Sequence, residues 1–405
     1  MVPAVLIAHP RLGLGGSEAR ALWAVAALQG WVKPTLASSG APSLDTLNRH
    51  CGTGLHPDDF DLRLLDGLPQ RLLGQTDALR GALFRRSVAG MARRFDVCVS
   101  AYNPTDFGKP GLHFVADLAF CDALRAEFHQ HAGDPRRWLH RPGPVRSGYL
   151  AVVQGFAGRG RYDRSRDWLI ANSQWSARVL RERLGLRCRA VVYPPVADVV
   201  PAVAWPARQH AFVCLGRVSP EKRIERVIDI LGRVRALGHD VRLRIIGAIG
   251  DDAYGRMIAG RIAANAGWCE AAGGVYGPDK LRLLARHRWA IHGCTAEAFG
   301  IAVAEQVKCG CVPFVPAGSG AAEIVAEPAL CFGDVDEAVA RIDALLRAPA
   351  YLGQVRGHLA RRARAFSANR FMSEFRSLVE AFVAEQGSAA GGRGPAGTGP
   401  RQAVA

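Results

Sequence analysis

The segment from Glu297 to Glu305 has the residue types needed to bind a phosphate and a pair of neighbouring hydroxyls. Phe299, Gly300 and Ile301 stand where a loop is predicted to become a helix, and the first amides of a helix attract phosphate. Gly300 lets the backbone approach a ligand closely. Glu305, about one turn later, can accept hydrogen bonds from a ribose diol, and Glu297 can reach a second hydroxylated group. Together these groups suit a sugar nucleotide, although two glutamates alone more often face solvent on an ordinary helix.

The loop from Gly216 to Arg223 offers positive charge for such a phosphate. It follows an apolar strand-like run and precedes a helical pattern, so it lies at the carboxyl end of a strand, where ligands bind in parallel sheets. Arg217 presents a planar fork of donors and Lys222 a compact point charge. Together they can clamp a diphosphate and offset the charge on a departing group. A solvated, turn-rich loop is the alternative interpretation.

A third loop, Gly13-Leu-Gly-Gly-Ser-Glu18, joins the first strand-like run to a helix. It resembles a phosphate-type glycine loop, but it matches neither the Gly-x-Gly-x-x-Gly fingerprint nor the Walker pattern. No acidic residue follows about 20 positions later in a fitting strand context, so a nicotinamide-dependent oxidoreductase is disfavoured. Alone, this motif is a weak indication of function.

Two further features allow functional and ordinary interpretations. His113 lies at the end of a strand-like run and is followed by Asp117, where a polar side chain can face a cleft, but such a histidine is more often a buried core residue. The strings Asp59 to Asp61 and Asp334 to Asp336 could suggest a metal-bound diphosphate, but such triplets are frequent by chance. The second string precedes a helix and fits an N-cap. We therefore expect no catalytic metal and no cofactor.

Length and composition indicate a soluble chain of two domains. The 405 residues, 49% hydrophobic and 22% charged, suit two domains of roughly 150–200 residues each. No apolar run approaches the roughly 20 residues that span a bilayer, and the first residues lack the basic region of a signal peptide. The 10 cysteines are scattered without a Cys-x-x-Cys pair. Buried free thiols in a reducing cytoplasm are therefore expected, rather than a zinc site.

The net charge of +16 is unevenly distributed, because the stretch from Cys121 to Ala190 is rich in arginine and poor in acidic residues. Such a patch could contact anionic lipid headgroups, phosphorylated acceptors or nucleic acid. A solvated face of an arginine-rich protein is the simpler interpretation. No nucleic acid is expected as a partner.

The pattern of elements predicts an α/β fold of two facing, doubly wound Rossmann-like domains with a cleft between them. We predict an N-terminal, acceptor-side domain over residues 1–200 and, after a proline-rich linker, a C-terminal nucleotide-sugar-binding domain over 207–368. A helix over 369–386 is expected to pack back on the N-terminal domain. Residues 387–405 are low in bulky apolar groups and are predicted to be disordered.

Taken together, several segments resemble family 4 of the retaining glycosyltransferases, also called group 1, which have the GT-B fold. The resemblance covers most of the chain and is dense from Trp168 to Phe332. Besides the segment of Glu297 and Glu305, it is carried by Ile170-Ala-Asn-Ser173, Val191-Val-Tyr-Pro-Pro195, Leu215-Gly-Arg-Val-Ser-Pro-Glu-Lys222, Val275-Tyr-Gly277 and Gly318-Ser-Gly-Ala-Ala-Glu-Ile-Val325. The order of these pieces is specific, whereas each piece is only moderately so.

The resemblance implies roles in holding the donor. Arg217 and Lys222 would bind the donor diphosphate, Glu305 the ribose hydroxyls and Glu297 the transferred sugar. The remaining candidates would line the same cleft: the amides of Phe299, Gly300 and Ile301 at phosphate or sugar, Gly15 and Gly16 between donor and acceptor, His113 facing the sugar, and Val275 and Tyr276 near the base.

The resemblance also implies a mechanism. The family retains anomeric configuration without a metal, and its favoured mechanism is a front-face reaction in which the leaving phosphate helps to deprotonate the acceptor. One departure is Gly320-Ala321, where relatives often have paired glycines, which puts the shape of the sugar pocket in doubt.

Substrates and location follow only loosely from the resemblance. The segments Tyr102 to Gly108 and His113 to Asp117 look like the branch of lipid-linked mannosyltransferases, which favours GDP-mannose over a UDP-sugar. Expected partners are a nucleotide-sugar donor, a glycan or lipid-linked acceptor of cell envelope polysaccharide synthesis, and an anionic membrane contacted peripherally. The expected location is the cytoplasm, including the inner membrane face. The alternative function is a non-catalytic GT-B-like protein that binds a nucleotide or polyanion.

Overall fold

The computed structural model describes residues 2–13, 15–65, 77–128, 143–157, 164–197 and 202–391. Its N-terminal sheet consists of parallel strands, in chain order β1 Val5–Ala8, β2 Thr35–Ser38, β3 Asp61–Leu64, β4 Val97–Ser100, β5 Leu112–Phe114, β6 Trp168–Ala171 and β7 Ala190–Val191. They are arranged β3-β2-β1-β4-β5-β6-β7. The order reverses beside β1, so the carboxyl ends of β1 and β4 flank a switch point.

The C-terminal sheet has the same design. Its parallel strands are β8 Gln209–Leu215, β9 Arg242–Ile246, β10 Cys269–Gly273, β11 His287–Ile291, β12 Val312–Pro316 and β13 Cys331–Phe332. They are arranged β10-β9-β8-β11-β12-β13, with the reversal between β8 and β11. The two doubly wound domains that the sequence predicts are therefore confirmed.

Helices connect and cover the strands. In chain order they are α1 Gly16–Leu28, α2 Leu44–Cys51, α3 Asp77–Ala92, α4 Asp122–Phe128, α5 Pro144–Ala157, α6 Gln174–Leu184, α7 Ile224–Ala236, α8 Ala253–Ala264, α9 Gly277–Ala285, α10 Ile301–Lys308, α11 Gly320–Val325, α12 Val335–Leu346, α13 Pro349–Ala363 and α14 Ala368–Gly391. Among the described helices, none combines the length with the apolar composition that a membrane crossing requires.

Both faces of each sheet are buried, which explains why the central strands are continuous apolar runs. Val5 and Ile7 of β1 pack into one apolar cluster, whereas Leu6 and Ala8 pack into another. The edge strand β3 differs because all four of its residues are exposed. Edge strands of this kind carry little apolar signal, which accounts for the absence of β3 and β10 from the sequence predictions; the buried inner strand β2 is also not predicted.

The last helix, α14, packs against the N-terminal domain although it follows the C-terminal one. Phe371, Phe375, Val379 and Phe382 recur at helical spacing and lie in the same apolar cluster as residues of α1. The helix ends at Gly391, so residues 387–391, assigned from sequence to the disordered tail, are helical. Alanines have high helix propensity, and extending an existing helix needs no new nucleus, which accounts for this correction.

Several predictions concern residues outside the described ranges. The arginine-rich stretch lies partly outside them, at 129–142 and 158–163, as do residues 198–201 of the linker and 392–405 of the tail. All ten cysteines are described; each is free, and most are buried, which confirms the expected free thiols.

A contact between the domains is built on Glu323 of α11. Its carboxylate accepts hydrogen bonds from the amides of Gln174 and Trp175, each at 3.0 Å, and from the Tyr193 hydroxyl at 2.6 Å. The two amides begin α6, where the helix dipole favours an anion. Glu323 thereby fastens the N-terminal domain to the C-terminal one.

Replacement of Glu323 by alanine should lower the free energy of unfolding by about 1–3 kcal/mol, because two helix amides and a phenol lose their acceptor. The measurement is urea unfolding of wild type and variant. Tyr193→Phe is the matched control, since it removes one of the three bonds and leaves the carboxylate in place. A Glu323→Ala variant as stable as Tyr193→Phe would contradict this assignment.

Candidate functional site

Two loops of the C-terminal domain meet at its switch point. One follows β8 and carries Lys222, and the other follows β11 and carries Glu297. Gly293 allows their contact, because a Cβ at this position would lie 2.5 Å from the Lys222 carbonyl oxygen. The carboxyl ends of β8 and β11 therefore deliver these two residues to one place, as expected for a ligand site in a doubly wound sheet.

Lys222 and Glu297 form an ion pair in which the ammonium donates to Oε2 of the carboxylate, and each side chain is only 19% exposed. His292 Nε2 lies 3.1 Å from the same oxygen. Burial by itself would raise the pKa of Glu297, but Lys222 and His292 outweigh it and lower that pKa. Burial would lower the pKa of Lys222, but Glu297 outweighs it and raises that pKa. The pair is thus fully charged near neutral pH.

The charged pair should give a distinctive pH dependence of stability. A lowered pKa means that the Glu297 contribution is present above its ordinary pKa of 4.5 and is lost as pH falls below that value. The Lys222 contribution is present below its ordinary pKa of 10.5 and is lost only at still higher pH. The difference in melting temperature between wild type and Glu297→Gln should therefore be constant between these limits and should decrease below about pH 4.5. A difference that grows on acidification would contradict the pairing.

The Glu297 segment is held from behind by α11. The amide of Gly320 donates to the Glu297 carbonyl at 2.8 Å. A Cβ at Gly320 would lie 2.3 Å from the Ala298 carbonyl oxygen, so a glycine is needed at this approach. The Ala298 carbonyl also accepts from Ser173 Oγ of the N-terminal domain at 2.5 Å. The loop that presents Glu297 is therefore fixed by both domains.

The start of α10 lies where the sequence predicts a phosphate-type cradle. Gly300 is its N-cap with a φ of 103°, a left-handed conformation that favours glycine. Phe299 is buried with its ring 5.7 Å from that of Tyr193, so only its backbone can face a ligand. Ile301 meets Gly16 of the opposite domain, where a Cβ on the glycine would lie 2.1 Å from Ile301 Cδ1. The helix start therefore faces the glycine loop across the domain boundary.

The glycine loop itself is not arranged as a phosphate cradle. The carboxylate of Glu18 folds back over it, so that a Cβ on Gly15 would lie 2.6 Å from Glu18 Oε2. That oxygen also accepts from Ser17 Oγ at 2.8 Å. An anion already lies over the loop, and the phosphate-type resemblance noted from sequence is therefore not supported at Gly15 and Gly16.

Glu305 lies apart from the Lys222–Glu297 pair and has its own cation. Lys280 Nζ of α9 lies 2.7 Å from Glu305 Oε1, and both side chains are 13% exposed. Near this pair, the half-exposed ring of Tyr276 lies 5.7 Å from that of His50 in the N-terminal domain. Val275 packs against an apolar cluster of the C-terminal domain. Lys280 is absent from the sequence-based candidates because its partner lies 25 positions away, on another helix.

Arg217 is not drawn into the central cluster. Its side chain is 83% exposed, and its guanidinium lies 3.4 Å from Glu221 Oε1. Its charge acts across the domain boundary on the phenol of Tyr102. Burial and the neighbouring Asp117 raise the pKa of this phenol above its usual range. Arg217 is therefore an exposed cation at the edge of the cleft. It is available to a ligand and is not held in place by Glu297.

His113 is not at the cleft, which corrects its assignment as a residue facing the sugar. The side chain is 1% exposed and lies 3.2 Å from Asp167, just before the amino end of β6. Its Nδ1 accepts from the Thr105 amide at 3.3 Å, and its ring stacks on Phe107. The contacts of His113 are those of a core residue, the alternative that its position in a strand also allowed.

The N-terminal wall has a polar cluster at the carboxyl ends of β4 and β5. The Tyr102 hydroxyl donates to Asp117 Oδ2 at 2.8 Å, and Asn103 Nδ2 donates to Asp117 Oδ1 at 2.9 Å. Asn103 has a φ of 56°, which is uncommon for a residue other than glycine. Of this cluster, the sequence analysis singles out Asp117 as a residue that can face the cleft.

The donor set beside Lys222 also has the composition of a metal site. His292, Cys294 and Glu297 offer ligand atoms within 4.8 Å of one another. Burial raises the pKa of the Cys294 thiol to about 11. Lys222 already neutralises Glu297. These residues therefore fit an ion pair better than a metal ion.

Comparison with known proteins supports this reading of the two domains. Residues 200–366 match the family model described as Glycosyl transferases group 1. No curated protein matches the chain in sequence.

Solved structures resemble the chain along nearly its whole length. Anabaena Alr3699/HepE in complex with UDP-glucose is 16% identical, with a TM-score of 0.65 over 94% of this chain and 100% of that one. WaaG, a glycosyltransferase involved in lipopolysaccharide biosynthesis, is 16% identical, with a TM-score of 0.66 over 92% of this chain and 99% of that one. Sucrose-phosphate synthase from Thermosynechococcus elongatus is 14% identical, with a TM-score of 0.69 over 95% of this chain and 100% of that one. At these identities the likeness shows the fold, which is GT-B.

Proposed function

We propose that this protein is a family 4 glycosyltransferase, which moves a glycosyl group from a nucleoside diphosphate sugar to a hydroxyl acceptor with retention of configuration. The observation that carries the proposal is the partly buried Lys222–Glu297 pair at the switch point of a domain that matches group 1 glycosyltransferases. The start of α10 follows Glu297 directly and offers amides to a phosphate. A cation, an anion and an amide cradle meet the needs of a sugar diphosphate.

In the proposed reaction the donor diphosphate lies between Lys222, Arg217 and the first amides of α10. Lys222 stabilises the charge that develops on the leaving diphosphate. Glu297 is ionised, so it accepts hydrogen bonds from the hydroxyls of the transferred sugar and does not act as a proton donor. Glu305 accepts from the ribose hydroxyls, while Lys280 orients its carboxylate.

Retention follows if the acceptor attacks from the face that the diphosphate leaves, with the departing phosphate oxygen taking the acceptor proton. This route needs no protein base, consistent with the ionised, doubly contacted state of Glu297. It also needs no metal, because Lys222 supplies the cation. Anomeric configuration of the product, read by proton NMR, distinguishes retention from inversion.

We propose GDP-mannose as the donor in preference to a UDP-sugar, and a glycan or lipid-linked acceptor of envelope polysaccharide synthesis. A lipid-linked acceptor implies work in the cytoplasm at the inner membrane face. The arginine-rich stretch from Cys121 to Ala190 would make weak contact with anionic lipid. Flotation with anionic liposomes tests this contact: binding is expected at low salt and release at high salt, and no binding at low salt refutes it.

A thermal-shift screen of nucleotides and sugar nucleotides tests the proposed function. A nucleoside diphosphate sugar present at a hundred times its dissociation constant should stabilise the protein by about 2.7 kcal/mol. The opposite outcome is that no sugar nucleotide stabilises it, while nucleic acid binds with a steep salt dependence. That result would favour a non-catalytic polyanion-binding protein.

A further inference from the structure

His9 lies where the N-terminal wall meets the proposed sugar. It follows β1, the central strand beside the switch point, and precedes the glycine loop. Its amide donates to the Ala37 carbonyl at 3.0 Å, which keeps the residue in line with the strand. Its ring lies 5.6 Å from that of Tyr102, which follows the neighbouring strand β4. Chain connectivity therefore places His9 at the carboxyl edge that faces the other domain.

The imidazole of His9 is buried without adequate hydrogen-bond partners. The residue is 3% exposed, and within the described residues neither ring nitrogen makes a complete hydrogen bond. The backbone of Arg11 interacts with the ring, but this contact can serve only one of the two nitrogens, so at least one nitrogen has no partner among the described residues. Burial lowers the pKa of His9 to about 4, so near pH 7 the ring is neutral, with one donor and one acceptor. Leaving such groups unsatisfied is costly, so a buried one calls for a ligand or another explanation.

The surroundings of His9 favour a neutral hydroxylated ligand over a phosphate. Glu18 lies over the adjoining glycine loop, and Asp117 accepts from the Tyr102 hydroxyl. Arg20 is buried, lies over the ring of Phe114 and is the nearby cation. Two carboxylates near one buried guanidinium disfavour a dianionic diphosphate, whereas a sugar hydroxyl can both donate and accept.

The position of His9 relative to the start of α10 indicates which part of a sugar nucleotide it would contact. Gly16, in the loop that follows His9, contacts Ile301 at the start of α10. The charge of Arg217 acts on the phenol of Tyr102. A diphosphate held at α10 would therefore project its glycosyl group toward the N-terminal wall.

We propose that His9 binds a hydroxyl of the glycosyl group that is transferred, donating from one ring nitrogen and accepting at the other. This inference rests on the proposed function. It makes His9 a specificity residue for the sugar, whereas Lys222 and Glu305 act on the nucleotide portion.

The test measures the affinities of UDP, UDP-glucose, GDP and GDP-mannose for wild type, His9→Leu and His113→Leu by calorimetry. In wild type, the preferred sugar nucleotide should bind more tightly than its bare diphosphate. His9→Leu should weaken the sugar nucleotide about tenfold and leave the bare diphosphate unchanged, because one or two hydrogen bonds to the sugar are lost. His113→Leu, which removes an equally buried histidine that accepts from the Thr105 amide and lies 3.2 Å from Asp167, should keep the wild-type ratio of the two affinities.

Thermal melting of the same variants provides a second readout. His9→Leu should melt at or above the wild-type temperature, since an unsatisfied polar group is removed, while His113→Leu should melt lower. The inference is overturned if His9→Leu keeps the wild-type ratio between the affinities for the sugar nucleotide and the bare diphosphate. It is also overturned if this ratio is unchanged and transfer is slower, a result that would assign His9 to the acceptor. A wild type that binds no sugar nucleotide would refute the proposed function instead.

Discussion

Replacement of Lys222 by methionine is expected to lower kcat/KM for glycosyl transfer by about 10²–10³-fold, the size of effect seen when one preorganised donor to a developing negative charge is removed. Lys222 is the only cation in contact with Glu297 Oε2 among the described lysines and arginines. Methionine keeps a similar length and apolar stem. The assay is release of nucleoside diphosphate from the sugar nucleotide that stabilises the wild-type protein.

Lys33→Met is the matched control for this change. Lys33 also pairs with a carboxylate, Asp61 at 3.1 Å, but both side chains are about half exposed, at 50% and 53%. Exposed pairs contribute little, so this variant should stay within about twofold of wild type. If Lys222→Met, shown to be folded by its melting curve, retained activity close to that of Lys33→Met, Lys222 would have no role at the leaving group.

Replacement of Gly320 by alanine is expected to cost both stability and activity. The new Cβ would lie 2.3 Å from the Ala298 carbonyl oxygen and 2.7 Å from the Phe299 Cα, which are backbone atoms that cannot rotate away. Overpacking of this kind costs about 1–3 kcal/mol. Because Gly320 also donates to the Glu297 carbonyl, the shift would displace Glu297, and a displacement near 1 Å can lower activity by about 10².

Gly353→Ala makes the same chemical change in the same domain. Gly353 lies within α13, and a Cβ there would meet nothing within 4 Å. It should therefore stabilise the protein by about 0.5–1 kcal/mol and leave activity unchanged. Urea unfolding and the release assay compare the two variants, and a Gly320→Ala protein that behaves like Gly353→Ala would show that the α11 approach does not hold Glu297.

The sequence predicts the two-domain fold because apolar, strand-like runs alternate with helical patterns on both sides of a proline-rich linker. Val5–Ala8 and Trp168–Ala171, for example, are apolar runs that form strands of the N-terminal sheet. The edge strands β3 and β10 are missed since many of their side chains are exposed. The end of α14 is misjudged because weak composition at 387–391 does not stop a helix that is already packed.

The candidate site was partly accessible from sequence for a similar reason. Lys222 and Glu297 stand in loops after strands, and a parallel sheet brings such loops together. Side-chain direction is not accessible in this way. All three residues of β5 are buried, so no alternation indicates which way His113 points. His292, Lys280 and Glu323 acquire their roles through partners that only the fold brings near.

The position of His9 has a recognisable sequence context. It is a polar residue that follows the apolar run Val5–Ala8 directly before a glycine loop, and Asp117 is likewise a polar residue shortly after β5. Polar residues that end central strands at a switch point are therefore worth treating as one group when a sequence of this class is interpreted.

The central claim is that the cleft beside Lys222 and Glu297 binds and cleaves a nucleoside diphosphate sugar. The most direct measurement is time-resolved release of nucleoside diphosphate from a panel of UDP- and GDP-sugars by wild type and Lys222→Met. The account predicts release from at least one sugar nucleotide by wild type and its near loss in the variant. Equal release by both proteins, or release by neither while the wild type binds polyanions, would contradict it.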